Sequence, residues 1–311
     1  MKLIRELLAG KVPALARAIT LVENEDPRAV AILEAVHEEI GRAYRIGVTG
    51  PPGAGKSTLT GELAGHFSDT KETVGIVAVD PSSPFTVGAL LGDRIRMHEA
   101  AARPGVYIRS MASRGQVGGL ARTTEDVADV MDAAGKDPVI METVGAGQAE
   151  VEIARAADTT LVVISPESGD SIQALKSGIM EIADVYVINK ADRDGAKRMA
   201  LELESMLDYR AMADDRRPGV VLTVARDGEG IEELADAIGE HRAWLEQSGR
   251  LRERRRERLK RRITAIVTAT VEERMLARGE DVERMVNAVI AGDLTPRRAA
   301  DKVLTELCPN E

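Results

Sequence analysis

The stretch Gly50-Pro51-Pro52-Gly53-Ala54-Gly55-Lys56-Ser57 constrains this chain more than any other. An apolar run, Arg45-Ile46-Gly47-Val48-Thr49, leads into it, and a stretch of helical character, Thr58-Leu59-Thr60-Gly61-Glu62-Leu63-Ala64, leads out. A glycine-rich loop between strand and helix that closes on Lys-Ser is built for phosphate. Its glycines let successive backbone N–H groups face one anion, and the helix adds its positive end. Lys56 can then reach the β- and γ-phosphates, and the Ser57 hydroxyl can ligate Mg2+. Gly53, Ala54, Gly55, Lys56, Ser57 and Thr58 are therefore expected to hold a nucleotide's phosphates.

From Tyr44 onward, strand candidates alternate with helical stretches. The apolar runs are Ile46–Val48, Val74–Val79, Val106–Ile108, Val139–Met141, Thr160–Ile164, Val185–Ile188 and Val220–Val224. Between them lie helical patterns such as Leu120–Ala134, Ser171–Ile182 and Asp194–Leu207. Near-continuous apolar strands imply a mainly parallel sheet with helices on both faces, an α/β fold of the P-loop NTPase kind. Ligands in such sheets sit at the carboxyl ends of the strands. Asp80, Glu142 and Asn189 all fall there. Helical extensions flank this region, so the expected division is 1–42, 43–246 for the sheet domain, and 247–311. The N-terminal extension reads as a packing arm. The tail opens on Arg250-Leu251-Arg252-Glu253-Arg254-Arg255-Arg256, where interleaved glutamate favours a solvated helix face over a binding patch.

Composition excludes several classes. A net charge of −9 disfavours a nucleic-acid partner, and aromatics at 2% leave no stacking platform for single strands. No apolar run approaches a membrane span. One cysteine, Cys308, admits no internal disulfide and fits a reducing cytoplasm. Four scattered histidines argue against a transition-metal site, whereas Mg2+ held by oxygens stays open.

Asn189-Lys190-Ala191-Asp192 is the second informative stretch. At a strand end, an N-K-x-D tetrapeptide places the Asp192 carboxylate where it can accept two N–H groups from guanine, a donor pair adenine lacks. Asn189 would buttress the phosphate loop, and the Lys190 stem would lie against the base. Thr223, Val224 and Ala225 could complete the pocket through backbone N–H groups. Glu142-Thr143-Val144-Gly145 supplies a carboxylate for Mg2+ and a backbone N–H for the γ-phosphate. Lys56, Asp93 and Glu142 are the expected catalytic residues, with Ser57, Asp80, Asp93 and Glu142 around the metal. Asp80 and Asp93 can equally be turn and helix-cap residues. Gln148 lies three residues past Gly145, whereas the familiar water-orienting glutamine directly follows that glycine.

Taken together, these motifs resemble the methylmalonyl-CoA mutase-associated GTPases, the MeaB/ArgK family. Asp80-Pro81-Ser82-Ser83, Leu91-Gly92-Asp93, Ser113-Arg114-Gly115, Glu142 to Gln148, and Gly169-Asp170 through Asp192 carry the resemblance, which runs from about Gly10 to Leu245. It implies a homodimeric GTPase, binding GTP or GDP with Mg2+, that serves an adenosylcobalamin-dependent acyl-CoA mutase by gating cofactor loading and protecting the enzyme. It also assigns Gln173 and Lys176 to a switch that answers to the mutase. The runner-up readings are a P-loop kinase, which the guanine-type tetrapeptide does not support, and a nickel metallochaperone, which would need clustered His or Cys. Phe85-Thr86-Val87-Gly88, Ala146, Ala149 and Val224 depart from the family pattern without touching an expected ligand.

Overall fold

The computed structural model describes residues 2–70, 72–80, 97–112, 119–143, 148–167, 181–210 and 216–307. Seven strands form one parallel sheet: β1 (Arg45–Thr49), β2 (Gly75–Asp80), β3 (Tyr107–Ala112), β4 (Val139–Thr143), β5 (Thr159–Ile164), β6 (Val185–Asn189) and β7 (Gly219–Thr223). Their spatial order is β3-β2-β4-β1-β5-β6-β7. All seven sequence-read strands are present, most of them a residue or two longer than their apolar runs. Backbone pairing on both sides carries a ladder past the last apolar side chain. In β4, for instance, Glu142 pairs with Val48 of β1 and Ala78 of β2. Glu142 thus lies inside its strand, one residue before the carboxyl end to which the sequence reading had assigned it.

Alternate strand residues feed opposite faces, as the two-residue repeat of a strand requires. Ile46, Val48, Ile76, Ile140, Leu161, Val163, Val185 and Val187 pack against Leu59 and Leu63 of α4 (Lys56–Asp69). The same cluster takes in Ile231, Leu234 and Ile238, which belong to the helix Ile231–Gln247. On the other face, Val77, Val79, Val139 and Met141 meet Val127, Val130 and Met131 from the helix Gly119–Ala133. Val162, Ile164, Tyr186 and Ile188 meet Leu203 and Leu207 from the helix Ala196–Arg210. Each such apolar side chain stabilises the fold by about 1.5–3 kcal/mol relative to an exposed one.

Before the sheet come α1 (Lys2–Leu8), α2 (Val12–Glu23) and α3 (Arg28–Val36). Their Leu7, Leu15, Ile19, Ile32 and Val36 are buried in the same cluster as Val127 and Met131, so this arm completes one face of the sheet. The chain forms two compact units, Met1–Arg255 and Arg256–Glu311. The second unit contains most of a 28-residue helix, Arg250–Ala277, then Gly279–Ile290 and Pro296–Leu307.

Candidate nucleotide site

β1 lies between β4 and β5, where chain connections turn to opposite sides of the sheet. This is the crevice in which open parallel sheets bind ligands. The phosphate loop leaves the end of β1 and enters α4 at Lys56. Two glycines are required by the backbone. Gly50 has φ +137°, and a Cβ there would come within 2.0 Å of the Val163 carbonyl oxygen. Gly55 has φ +89°, and its Cβ would meet Asn189 Nδ2 at 2.3 Å. The loop therefore closes against β5 and β6 at the distance of bare backbone.

Asn189 joins three parts of the site. Its Nδ2 donates to the Ala54 carbonyl at 2.9 Å. Its Oδ1 accepts from Thr223 Oγ1 at 3.1 Å and from the Ala225 N–H at 3.0 Å. With Asn189 buried, one amide side chain ties the phosphate loop to the end of β7 and the turn that follows. The Val224 N–H donates to the Glu229 carbonyl at 3.0 Å. The amides of Val224 and Ala225 are thus engaged within the protein itself.

Lys56 is buried, and its Nζ donates to the carbonyls of Gly50 at 2.6 Å and Pro51 at 3.0 Å. Ser57 Oγ donates to Glu142 Oε1 at 2.6 Å, and Glu142 is 1% exposed. Beside them, Thr143 Oγ1 donates to Thr49 Oγ1 at 3.2 Å, pinning the ends of β4 and β1 together. A hydroxyl and a carboxylate in contact under the phosphate loop suit Mg2+, which takes one or two protein oxygens and fills its other positions from phosphates and water.

Just past the end of β6, Lys190 has φ +58°, a left-handed conformation rare for a lysine. It turns the chain so that the Ala191 N–H donates to the Thr223 carbonyl at 2.9 Å. Lys190 Nζ donates to Glu167 Oε2 at 2.7 Å. Asp192 Oδ2 lies 3.2 Å from Arg226 Nη2 and 3.6 Å from Arg193 Nε. No sequence motif singled out Glu167 or Arg226. The one available signal was that Arg226 directly follows the Thr223–Ala225 segment.

Of the other expected site residues, Asp80 ends β2, and its side chain lies outside the described residues, as do Asp93, Gly145, Gln173 and Lys176 entirely. Thr58 is in the first turn of α4. The arginine run is not fully solvated. Arg254 makes paired hydrogen bonds to Asp184 at 2.7 and 2.8 Å, and Arg255 bonds Asp158 at 2.9 Å. The sequence held a signal for this, since Ala157-Asp158 and Ala183-Asp184 each stand immediately before a strand.

Residues 15–280 match the family described as methylmalonyl-CoA mutase-associated GTPase MeaB. The chain belongs to the MeaB family. It is 39% identical to GTPase ArgK of Escherichia coli over 82% of this chain and 79% of that one. It is also 47% identical to a Pyrococcus abyssi protein over 98% and 96% of the two chains. A crystal structure described as LAO/AO transport system kinase superposes with a TM-score of 0.74 at 30% identity, covering 98% of this chain and 96% of that one. This MeaB-family protein is a GTPase with a P-loop NTPase fold.

Proposed function

We propose that this GTPase serves an adenosylcobalamin-dependent acyl-CoA mutase of the methylmalonyl-CoA type, gating cofactor loading and protecting the enzyme. The partner is supported by the family description and by a mouse relative named methylmalonic aciduria type A homolog, mitochondrial, 34% identical over 97% of this chain. The nucleotide chemistry rests above all on Asn189, which connects the phosphate loop to the base-side turn.

In this reading the backbone amides from Gly53 to Thr58 receive the phosphates. Lys56 exchanges the Gly50 and Pro51 carbonyls for phosphate oxygens, where a fixed cation stabilises the charge of phosphoryl transfer. Ser57 would hold Mg2+, with Glu142 reaching it through water and Asp80 and Asp93 as further carboxylates of its shell, and the Gly145 N–H would meet the γ-phosphate. When bound, the ion would supply positive charge to offset that of the phosphates. Asp192 accepts the two guanine N–H groups, flanked by the Lys190 stem. Gln173 and Lys176 transmit the mutase's presence. Exposed Leu259, Ile263, Ile266 and Val267 on the Arg250–Ala277 helix offer an apolar face for a homodimer. The single cysteine fits a cytoplasmic setting.

The word kinase in the description of the solved relative raises a second reading, in which a hydroxyl acceptor takes the phosphoryl group. Turnover without any acceptor separates the two. We expect slow GTP hydrolysis by the protein alone, background ATP hydrolysis, and stimulation by the mutase drawing on the roughly 10³–10⁵ that a completed charge-stabilising site supplies. Equal turnover of ATP, or no response to an adenosylcobalamin-dependent mutase, would overturn the proposal. Glu142→Ala should raise the Mg2+ concentration needed for turnover, and an unchanged requirement removes Glu142 from the metal shell.

A further inference from the structure

The carboxylate assigned to guanine is already in contact with a cation. Arg226 Nη2 lies 3.2 Å from Asp192 Oδ2, while Nε of the same guanidinium donates to Asp227 Oδ2 at 3.0 Å. One planar fork thus spans two carboxylates. Its backbone is equally well placed, because Arg226 directly follows Ala225, whose N–H is bonded to Asn189. Arg193 approaches the same Asp192 oxygen from the other side of the tetrapeptide, at 3.6 Å. Asp192 is 30% exposed and Arg226 62%, so the pair is open to solvent and to an incoming base.

We propose that Arg226 is a positioning residue that sets base selectivity by fixing the Asp192 carboxylate in one orientation. This rests on the reading of Asp192 as the guanine contact. A carboxylate oxygen has lone pairs for two donors, so Arg226 can stay in place while a base binds. Guanine offers two N–H groups and needs both carboxylate oxygens in register. Hypoxanthine offers only the ring N–H, which a freely turning carboxylate can still follow. Fixing the rotor in advance therefore favours the two-donor base over the one-donor base. Lysine cannot replace the fork, because a single ammonium does not span Asp192 and Asp227 as a planar guanidinium does.

The test compares GDP with inosine diphosphate by titration calorimetry on the full chain. Freezing one side chain in advance corresponds to roughly three- to tenfold in affinity. Arg226→Ala is expected to weaken GDP by that factor and inosine diphosphate by less than about twofold, so that the ratio of the two dissociation constants collapses. Because inosine diphosphate binding persists in the same variant, it reports an intact site. Arg226→Lys should give an intermediate ratio, and a lysine variant as selective as the unaltered protein would overturn the fork argument. Equal weakening of both nucleotides, no change in either, or tighter GDP binding in Arg226→Ala would overturn the inference as a whole. An unaltered protein that binds ADP as tightly as GDP would instead overturn the reading of Asp192 on which it rests.

Discussion

The two ends of β5 and β6 carry similar charges and use them in opposite ways. At their amino ends, Asp158 and Asp184 are engaged from several sides. Arg254 and Arg255 bond them, the backbone N–H groups of Arg45 and Thr160 add to the set, and His241 Nε2 lies 3.3 Å from Asp184. Asp158 is fully buried. At the carboxyl ends, Glu167, Lys190, Asp192, Arg193 and Arg226 form a chain of ion pairs between side chains that are roughly a third or more exposed. Buried carboxylates with several donors hold structure, since removing one partner leaves an uncompensated charge. Solvent-exposed pairs contribute little stability, so they can rearrange around a ligand at low cost. The same residue types thus make a clamp at one pole and an exchangeable site at the other.

The largest expected effect breaks the carboxyl-end pole alone. Lys56→Ala should lower GTP turnover by roughly 10³ or more, because the phosphates lose their main fixed counter-charge. The fold should persist, since the hydrogen bonds Lys56 makes to Gly50 and Pro51 stay within its own loop. Phosphate release and a thermal melt on one sample check both halves. Retained turnover would mean that Lys56 is not the phosphate cation.

The clamp should respond the other way. Asp184→Ala removes the acceptor of two of the three Arg254 hydrogen bonds and of the Thr160 N–H, leaving Arg254 its bond to the Asp158 carbonyl. We expect a loss of about 2–4 kcal/mol, somewhat below that of a fully buried pair because Arg254 is partly exposed. Turnover per folded molecule should stay near that of the unaltered protein. Denaturant titration measures the first and active-site-normalised hydrolysis the second. A large fall in turnover at unchanged stability would show that the two poles are not separate.

Acid sharpens the contrast. His241 Nδ1 is hydrogen-bonded with Thr159 Oγ1 over 2.7 Å, and Tyr44 completes the chain with its hydroxyl 2.5 Å from the same Thr159 oxygen. Burial pushes the Tyr44 phenol up to about 12 and holds the His241 imidazole down at about 4. An unfolded histidine takes up its proton near 6.5, whereas the folded one resists until about 4. The folded state is therefore penalised as pH falls through that window, and the stability present above 6.5 declines by up to about 3 kcal/mol. His241→Gln should flatten this part of the stability-against-pH curve, measured by urea titration between pH 7 and 4. An unchanged slope would place the proton uptake on another group.

Much of this comparison was legible in the residues, for identifiable reasons. Backbone-driven motifs announce themselves. Gly50 and Gly55 are demanded by φ and by close approach, and Asn189 by the carbonyl it must reach, so spacing alone located them. The seven strands were readable because both faces of a parallel sheet are buried and the runs are continuously apolar. Pairings between distant side chains leave a much fainter trace. That Arg254 meets Asp184, 70 positions away, was signalled only by the aspartate standing immediately before a strand, and that Arg226 meets Asp192 only by its place just after the Thr223–Ala225 segment. These contacts follow from how the strands stack side by side. The arginine run misled for the same reason, because helical spacing shows which residues share a face and not what that face meets.

The smallest expected effect concerns strain at the Lys190 turn. Lys190 is held at φ +58°, where a side chain costs about 1–2 kcal/mol relative to glycine. Its backbone is kept there by the Ala191 N–H bond to Thr223, and its exposed contact with Glu167 offsets little of that cost. Lys190→Gly should relieve the strain while enlarging the unfolded chain's freedom, two changes of opposite sign that leave a net gain of at most about 1 kcal/mol. Without nucleotide, the variant should melt at the same temperature as the unaltered protein or slightly above it. With saturating GDP the order should reverse, since the stem proposed to lie against the base is gone and ligand binding then adds less to the folded state. Two melts per protein, with and without GDP, decide the matter. If Lys190→Gly is less stable without nucleotide, the left-handed turn is not strained. If it gains as much from GDP as the unaltered protein does, the lysine stem takes no part in holding the base, and the exchangeable pole narrows to Asp192 and the groups that orient it.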